Sequence, residues 1–320
     1  MVDKIVFLGT PEFAVPSLKA LAADSQFSVA AVITQPDRPS GRGQKVSLPA
    51  VKRAAQELSV PVYQFSRIRG NPEAQALLER IRPTVCVVAA FGQILPVEFF
   101  DLPPFGTVNV HASVLPAYRG ASPVVHAILN GDKETGVTIM KINAGMDTGD
   151  ILSVRWAPIP PGATAGELEV ALAELGARLL VPTLKQYLVG ELKPSEQSES
   201  SATYAPRIGK ESGRIDWAHS ADEVHNRIRA MNPWPGAFTS WRGGEIKVWR
   251  AGPMSFQGLT ESVPGTILRL DPDGVGVRCG NGAVSLTELQ LPNRKRVGAR
   301  DFINGTHICT GEVLGSGPDV

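Results

Sequence analysis

The sequence predicts an α/β protein: an N-terminal doubly wound, mostly parallel Rossmann-like sheet, linked to a small C-terminal β-barrel of the OB-like kind. Three observations carry the prediction. Short apolar or β-branched runs alternate with helical segments through the first half. A polar, aperiodic stretch follows from Gly190 to Pro206. Beyond it, short strand patterns recur between Gly- and Asp-containing turns.

Lys4 to Gly9 is an apolar run ending in Gly-Thr-Pro, and Val29 to Thr34, Val60 to Gln64, Val85 to Phe91 and Val108 to Ala112 repeat the type. Helical segments such as Ala50 to Leu58 and Pro72 to Ile81 fall between them, which makes the strands parallel. Gly136 to Ile142 and Ile151 to Ile159 are further strands around the loop Asn143 to Asp150. Thr164 and Glu167 form a Thr-x-x-Glu capping box for a long helix reaching about Leu188, which Pro182 is expected to bend or interrupt. Gly190 to Pro206 lacks periodicity and reads as a linker. Ser220 and Glu223 cap a helix ending near Met231, where Asn232-Pro233-Trp234-Pro235-Gly236 stops it. Ala237 to Trp241, Ile246 to Arg250, Thr266 to Leu270, Val275 to Cys279 and Ala283 to Gln290 are the barrel strands. The expected division is a domain at 1–189, a linker at 190–206 and a domain at 207–320, since 320 residues exceed one typical core. No internal repeat is visible.

The chain is 43% hydrophobic and 20% charged with a net charge of +1, a balance that argues against a disordered tail or a membrane protein. It gives no global sign of nucleic-acid binding, so any such partner must be read from local patches. Met1 to Ile5 enters a strand at once and no apolar run nears the roughly 20 residues that span a bilayer, so neither a signal peptide nor a membrane anchor is expected. Cys86, Cys279 and Cys309 are odd in number and widely spaced, which fits a reducing cytoplasm and neither a disulfide framework nor a zinc site. No metal is expected, because the histidines and cysteines show no ligand spacing.

The most informative stretch is Asn109 to Gly120. As a strand from Thr107 to Ala112 it projects Asn109, His111 and Ser113 on one side, and it leads into a Pro/Gly-bounded loop with Tyr118 and Arg119. An amide and an imidazole on one face can converge on a carbonyl oxygen as it becomes an oxyanion, and a protonated His can act as general acid. A satisfied core histidine is the plain alternative. Asp147 lies in the glycine-bounded loop Asn143 to Asp150; if it reaches His111 it orients the ring, and otherwise it is a turn residue. Phe7 to Pro11 has one glycine, so it is no dinucleotide fingerprint; a ligand site at free N–H groups or a tight strand-to-helix turn both fit. Asp37 to Lys45 is a polar loop carrying Arg38, Arg42 and Lys45, suited to clamping an anionic substrate or simply to solubility. Arg294, Lys295 and Arg296, with Arg300 nearby, form a second basic cluster, for which a solvated face is the ordinary meaning.

Together these residues resemble the methionyl-tRNA formyltransferases over essentially the whole chain. The resemblance rests on Phe7 to Ala14, Thr34 to Gly43, Ala90 to Pro96, Asn109 to Gly120, Gly145 to Asp150 and Trp234 to Ala237. The Asn-x-His, Ser-x-Leu-Pro-x-Tyr-Arg-Gly and Asp-Thr-Gly elements are shared by formyltransferases that use 10-formyltetrahydrofolate. The Asp-Arg-Pro-x-Gly-Arg-Gly loop and the attached C-terminal domain are similar to those of the tRNA enzymes in particular. Phe91 and Met146 stand where tyrosine and leucine are commoner. The resemblance implies a catalytic domain at 1–189, a tRNA-binding domain at 207–320, and transfer of a formyl group from 10-formyltetrahydrofolate to the α-amine of methionyl initiator tRNA. It implies Asn109, His111 and Asp147 as catalytic residues. It places the folate near Phe91, Gly92, Gln93, Ile94, Leu95, Ser113, Leu115, Pro116 and Gly145, and makes Arg42 a tRNA contact beside the acceptor end. A tRNA gripped by both basic sites would rest on Arg38, Arg42 and Lys45 in the first and on Arg294, Lys295 and Arg296 in the second. A cytoplasmic monomer with no membrane partner is expected. Two other functions remain on the sequence: a relative acting on a glycinamide ribonucleotide or amino-sugar nucleotide, and a non-catalytic tRNA- or folate-binding protein. The Arg42 loop and the distal domain argue against the first, and the intact trio against the second.

Overall fold

The computed structural model describes residues 2–40, 45–255 and 262–315. Contacts divide the chain into two compact units. One comprises Met1–Pro123, Glu134–Pro158 and Glu169–Ala205; the other comprises Val124–Lys133, Ile159–Leu168 and Pro206–Val320.

The first unit is built on a seven-stranded sheet. From one edge to the other its strands are Ile151–Pro158, Glu134–Lys141, Thr107–His111, Val85–Ala89, Asp3–Gly9, Phe27–Thr34 and Val62–Gln64. The strands from Thr107–His111 onward are mutually parallel, and the two at the first edge join antiparallel. The apolar runs become strands because they are buried on both faces: Ile5, Val6, Phe7 and Leu8 are all 0% exposed. Each such side chain contributes about 1.5–3 kcal/mol on burial. Helix Pro72–Ile81 begins on Asn71, whose side chain accepts hydrogen bonds from the Glu73 and Ala74 N–H groups, and packs Leu77 and Leu78 against Leu8, Ile33 and Val88. The chain moves outward from Asp3–Gly9 to Val62–Gln64, then returns to the other side of Asp3–Gly9 with Val85–Ala89. The strand order reverses there, and the loops at the carboxyl ends part. A cavity of about 390 Å³ opens at that point, lined among others by Thr10, Gln35, Arg38, Ala90, Phe91 and Gly92.

Several expectations need correcting. The run from Val85 ends as a strand at Ala89, because Ala90 (φ 46°) and Gly92 (φ 76°) turn the chain. The strand from Thr107 ends at His111, so Ser113 lies past it. Helix Ala165–Leu188 runs uninterrupted through Pro182, with Leu180 and Leu184 buried on either side of it. Helices Val15–Ala23, Pro123–Leu129 and Ala299–Thr306 were not foreseen. The polar 190–206 segment is not free chain: Ser195 and Ile151 exchange backbone hydrogen bonds, and Tyr204–Ala205 pairs in parallel with Arg119–Gly120. Main-chain pairing needs no apolar pattern, so side-chain periodicity did not show it.

The second unit carries an antiparallel sheet in the order Ala237–Trp241, Gly244–Met254, Ala283–Gln290, Gly274–Arg278 and Ile267–Asp271, with Val297–Gly298 added to Ala283–Gln290. Among the described residues no hydrogen-bonded ladder closes the two edges. Both capping boxes form as expected, Thr164 with Glu167 and Ser220 with Glu223. Among the described residues no helix is long and apolar enough to cross a membrane.

Candidate active site

Asn109 pairs with Val88, which pairs with Leu8, so these residues share a sheet face. Val110 faces the other way, toward helix Ala165–Leu188 at Gly176, where an added Cβ would lie 2.8 Å from Val110. Alternation therefore places Asn109 and His111 on the face that also carries Phe91 and Leu95. His111 is buried, and Asn109 is half-buried, its amide without a hydrogen bond among the described residues. An amide in that state is available to a ligand.

Two groups hold the His111 ring. Its Nε2 lies 3.0 Å from the Tyr118 carbonyl oxygen, and its Nδ1 lies 3.7 Å from Asp147 Oδ2. A carbonyl only accepts, so Nε2 carries a hydrogen. The remaining nitrogen faces a carboxylate beyond direct hydrogen-bond length, in a setting where the two side chains are 7% and 19% exposed. Asp147 reaches this place by an indirect route. Thr138 pairs with His111 but Lys141 pairs with Val108, so the loop after Lys141 departs at the opposite end of the strand from His111. It must fold back along the sheet face. Asp147 adopts φ 52°, and its Oδ2 accepts the Gly120 N–H at 2.8 Å. The Tyr118–Gly120 turn thus supplies one anchor for the histidine and one for the aspartate.

Other expected site residues have varied surroundings. Phe91 and Leu95 lie in the buried cluster, whereas Ile94 is 72% exposed. The Phe91 carbonyl accepts from the Thr10 hydroxyl and the Gln35 amide, and Gln35 also donates to the Gly92 carbonyl. Gln93 is spent within the fold, accepting from Ile68 N–H and donating to Phe65 O. Ser113 is fully buried and donates to Ala117 O at 2.6 Å. Leu115 is buried before a cis bond to Pro116. Gly145 donates to Asn143 Oδ1, and a Cβ there would meet Thr148 Oγ1.

Of the basic candidates, Arg38 donates to Gln35 Oε1 at 2.7 Å on the rim of the 390 Å³ cavity. Arg42 and the side chain of Lys45 lie outside the described residues. In the second unit Arg294 and Lys295 are exposed and form no ion pair among the described residues. Arg296 differs: its guanidinium lies 3.8 Å from the Trp249 ring centroid and its Nε 3.6 Å from Glu288. Burial pushes the Cys86 thiol up to about 12 and the Cys279 thiol up to about 11, so both stay protonated in the core. No cluster of three or more His, Cys, Asp or Glu among the described residues is placed to hold a metal.

Sequence reasoning missed Gln35 and Gln197. Gln35 buttresses the 91–92 turn, and Gln197 donates to the main chain on both sides of Thr148. Both act on carbonyls distant in sequence, which leaves no local signal.

The chain matches the formyl transferase family over residues 3–184 and the formyl transferase C-terminal domain over residues 207–307. It is 48% identical to the methionyl-tRNA formyltransferase of Solibacter usitatus, covering 98% of this chain and 99% of that one. Among solved structures, its fold is similar to an N-formyltransferase from Helicobacter canadensis in complex with folinic acid and dTDP-3-aminofucose, with TM-score 0.66, 22% identity, 89% of this chain and 99% of that one. It is also similar to HypX from Aquifex aeolicus in complex with tetrahydrofolic acid, with TM-score 0.63 and 18% identity; 95% of this chain aligns, and the match spans 47% of that longer protein. Family matches across both parts of the sequence, with near-complete coverage of a relative at this identity, lead to one conclusion: the chain belongs to the formyltransferase family, among the methionyl-tRNA formyltransferases.

Proposed function

We propose that this chain transfers the formyl group of 10-formyltetrahydrofolate to the α-amino group of methionyl initiator tRNA, giving N-formylmethionyl-tRNA. The observation that carries the reading is the unpartnered Asn109 amide beside a His111 ring held between the Tyr118 carbonyl and the Asp147 carboxylate, in a chain of this family. The donor set fits a formyl carbonyl, and the exposed Ile94 beside the 91–92 turn offers apolar surface and main-chain groups to a fused ring.

The cosubstrate supplies an activated formamide carbon. The protein groups do the rest. The Asn109 amide donates to the carbonyl oxygen as it gains negative charge under attack by the amine. His111, its ring held between the Tyr118 carbonyl and Asp147, is the second group bordering that oxygen. Asp147 holds the ring in place and receives the proton that the attacking nitrogen sheds, and that proton then passes to the departing nitrogen of the donor. The bond from carbon to the new amine forms and the bond to the folate nitrogen breaks. In this reading 1–189 carries the chemistry, and Arg38, Arg42 and Lys45 hold the acceptor end. Arg294, Lys295 and Arg296 in 207–320 hold backbone phosphates, with 190–206 between the two.

The 48% identity to a methionyl-tRNA formyltransferase over 98% of the chain favours tRNA over a small amine as acceptor. The test is a single-turnover formyl-transfer assay in which charged initiator tRNA competes with an amino-sugar nucleotide and glycinamide ribonucleotide. Formylation of the tRNA alone is the expected result. Preference for either small amine would overturn the choice of acceptor, and no transfer to any would overturn the enzymatic reading.

A further inference from the structure

The geometry points to Gln197, in the polar segment between the two family matches, as a positioning residue that fixes Asp147 from behind. Its side-chain amide donates one hydrogen to the Asp147 carbonyl at 2.8 Å and the other to the Gly149 carbonyl at 2.7 Å. Its Oε1 accepts from Arg119 Nε at 3.1 Å. One planar group thus bridges the main chain on both sides of Thr148. Both amide hydrogens are used, and both pull on the loop that carries the carboxylate.

Asp147 needs such support. Its φ of 52° lies in the left-handed region, which costs a residue with a Cβ and persists only when neighbours over-determine it. The Gly120 N–H holds the carboxylate, while Gln197 holds the carbonyl of the same residue, so side chain and backbone are clamped independently. The following glycine is equally constrained, since a Cβ at Gly149 would lie 1.9 Å from the Lys141 carbonyl oxygen.

Gln197 is itself anchored. Arg119 is 0% exposed and spends Nε on Gln197 and Nη1 on Glu199 at 2.8 Å, leaving Nη2 without a partner among the described residues. The chain on either side is pinned by Ser195 on Ile151 and by Thr203 and Ala205 on the 116–122 turn. Arg119 and Gly120 belong to that same turn, so the Asp147 carboxylate and the Gln197 side chain are referenced to one frame. A segment of linker composition therefore reaches the catalytic loop and sets where its carboxylate stands relative to His111.

The inference rests on the reaction assigned above to Asn109, His111 and Asp147, and its test separates the two. In Gln197→Ala, and equally in Gln197→Glu, which keeps the acceptor for Arg119 but removes both donors, kcat falls about 10–100-fold while KM for tRNA and folate changes less than about threefold. Amide hydrogen exchange of the 143–150 loop accelerates in both variants, with protection of the central strands near wild type; Gln197→Glu, which keeps the acceptor for the buried Arg119, also keeps the melting temperature near wild type. In an Asp147→Asn background, adding Gln197→Ala lowers kcat little further, because its route of action has already been removed. A kcat close to wild type in Gln197→Ala, full additivity with Asp147→Asn, or unchanged exchange of the loop would each overturn the proposal. Failure of the wild-type protein to formylate any amine would overturn the reaction instead, and the exchange measurement would still decide whether Gln197 holds the loop.

Discussion

Replacing Asn109 by alanine isolates the oxyanion argument from folding. The Asn109 amide has no hydrogen bond among the described residues, so its removal strands no buried partner. Its backbone remains paired with Val88 and Met140 in the middle of the sheet, where alanine is tolerated. The stability cost is therefore expected to stay under about 1 kcal/mol, within the range for half-buried polar groups that lose no partner. The catalytic cost is larger. Loss of one preorganised donor at a developing oxyanion lowers kcat by about 10²–10³, equivalent to about 2.7–4 kcal/mol in the transition state. The carbonyl of the bound donor carries less charge than the oxyanion, so KM for folate moves far less than kcat. Asn109→Asp is isosteric but sets an acceptor against the growing negative charge, and is expected to be worse than alanine. Single-turnover formyl transfer, with thermal melting of each variant as control, makes the measurement. A folded Asn109→Ala with near-wild-type kcat would refute the donor role. A large fall in melting temperature would show that the amide serves the fold.

Asp147→Asn keeps the bulk of the side chain and an oxygen for the Gly120 N–H, so kcat should collapse while folate Kd stays within a few-fold; lost affinity at constant kcat would recast Asp147 as a binding group. In the distal cluster, Arg296 is engaged with Trp249 and Glu288 whereas Arg294 and Lys295 are free of ion pairs among the described residues. The double substitution of Arg294 and Lys295 by alanine should flatten the salt dependence of tRNA binding by roughly one phosphate contact per charge, and Arg296→Ala should flatten it likewise while also lowering stability; identical salt slopes would reduce the cluster to a solvated face. The Thr164 N–H, then Arg250 and the Thr164 hydroxyl, hold the Glu167 carboxyl down from its ordinary 4.5 to about 2. The folded value is the lower one, so this stabilisation is complete above about pH 4.5 and is lost as pH falls through about 2. The Glu167 side chain is 50% exposed, which screens the pair and limits its worth to about 1 kcal/mol. Urea unfolding between pH 7 and pH 2 should show Glu167→Gln losing that increment at neutral pH but not at the acid end, and parallel curves for the two proteins would contradict it.

The sequence alone determined the parts of this protein that depend on local spacing. Apolar runs in the first half became buried strands, because a strand covered on both faces needs apolar residues at every position. Thr164 with Glu167 and Ser220 with Glu223 became helix starts, because a capping box is satisfied within four residues. Asn109 and His111 shared a face because strand alternation is fixed by the backbone. Helix Val15–Ala23 escaped notice for the same reason in reverse: it has no side-chain cap and a weakly amphipathic, small-residue sequence. Only the tertiary structure decided which polar groups are free and which are spent. Ser113 was expected beside Asn109 and His111 in the site, yet it closes a turn onto Ala117, and Gln93 bridges Phe65 and Ile68. Arg296 lies over Trp249, while Asp147 folds back to within 3.7 Å of His111 with Gln197 at its back. Each of these outcomes pairs groups that are neighbours only after the chain has folded. A hydrogen-bond donor leaves no periodic trace of the acceptor it will find 50 residues away, as Gln197 finds Asp147.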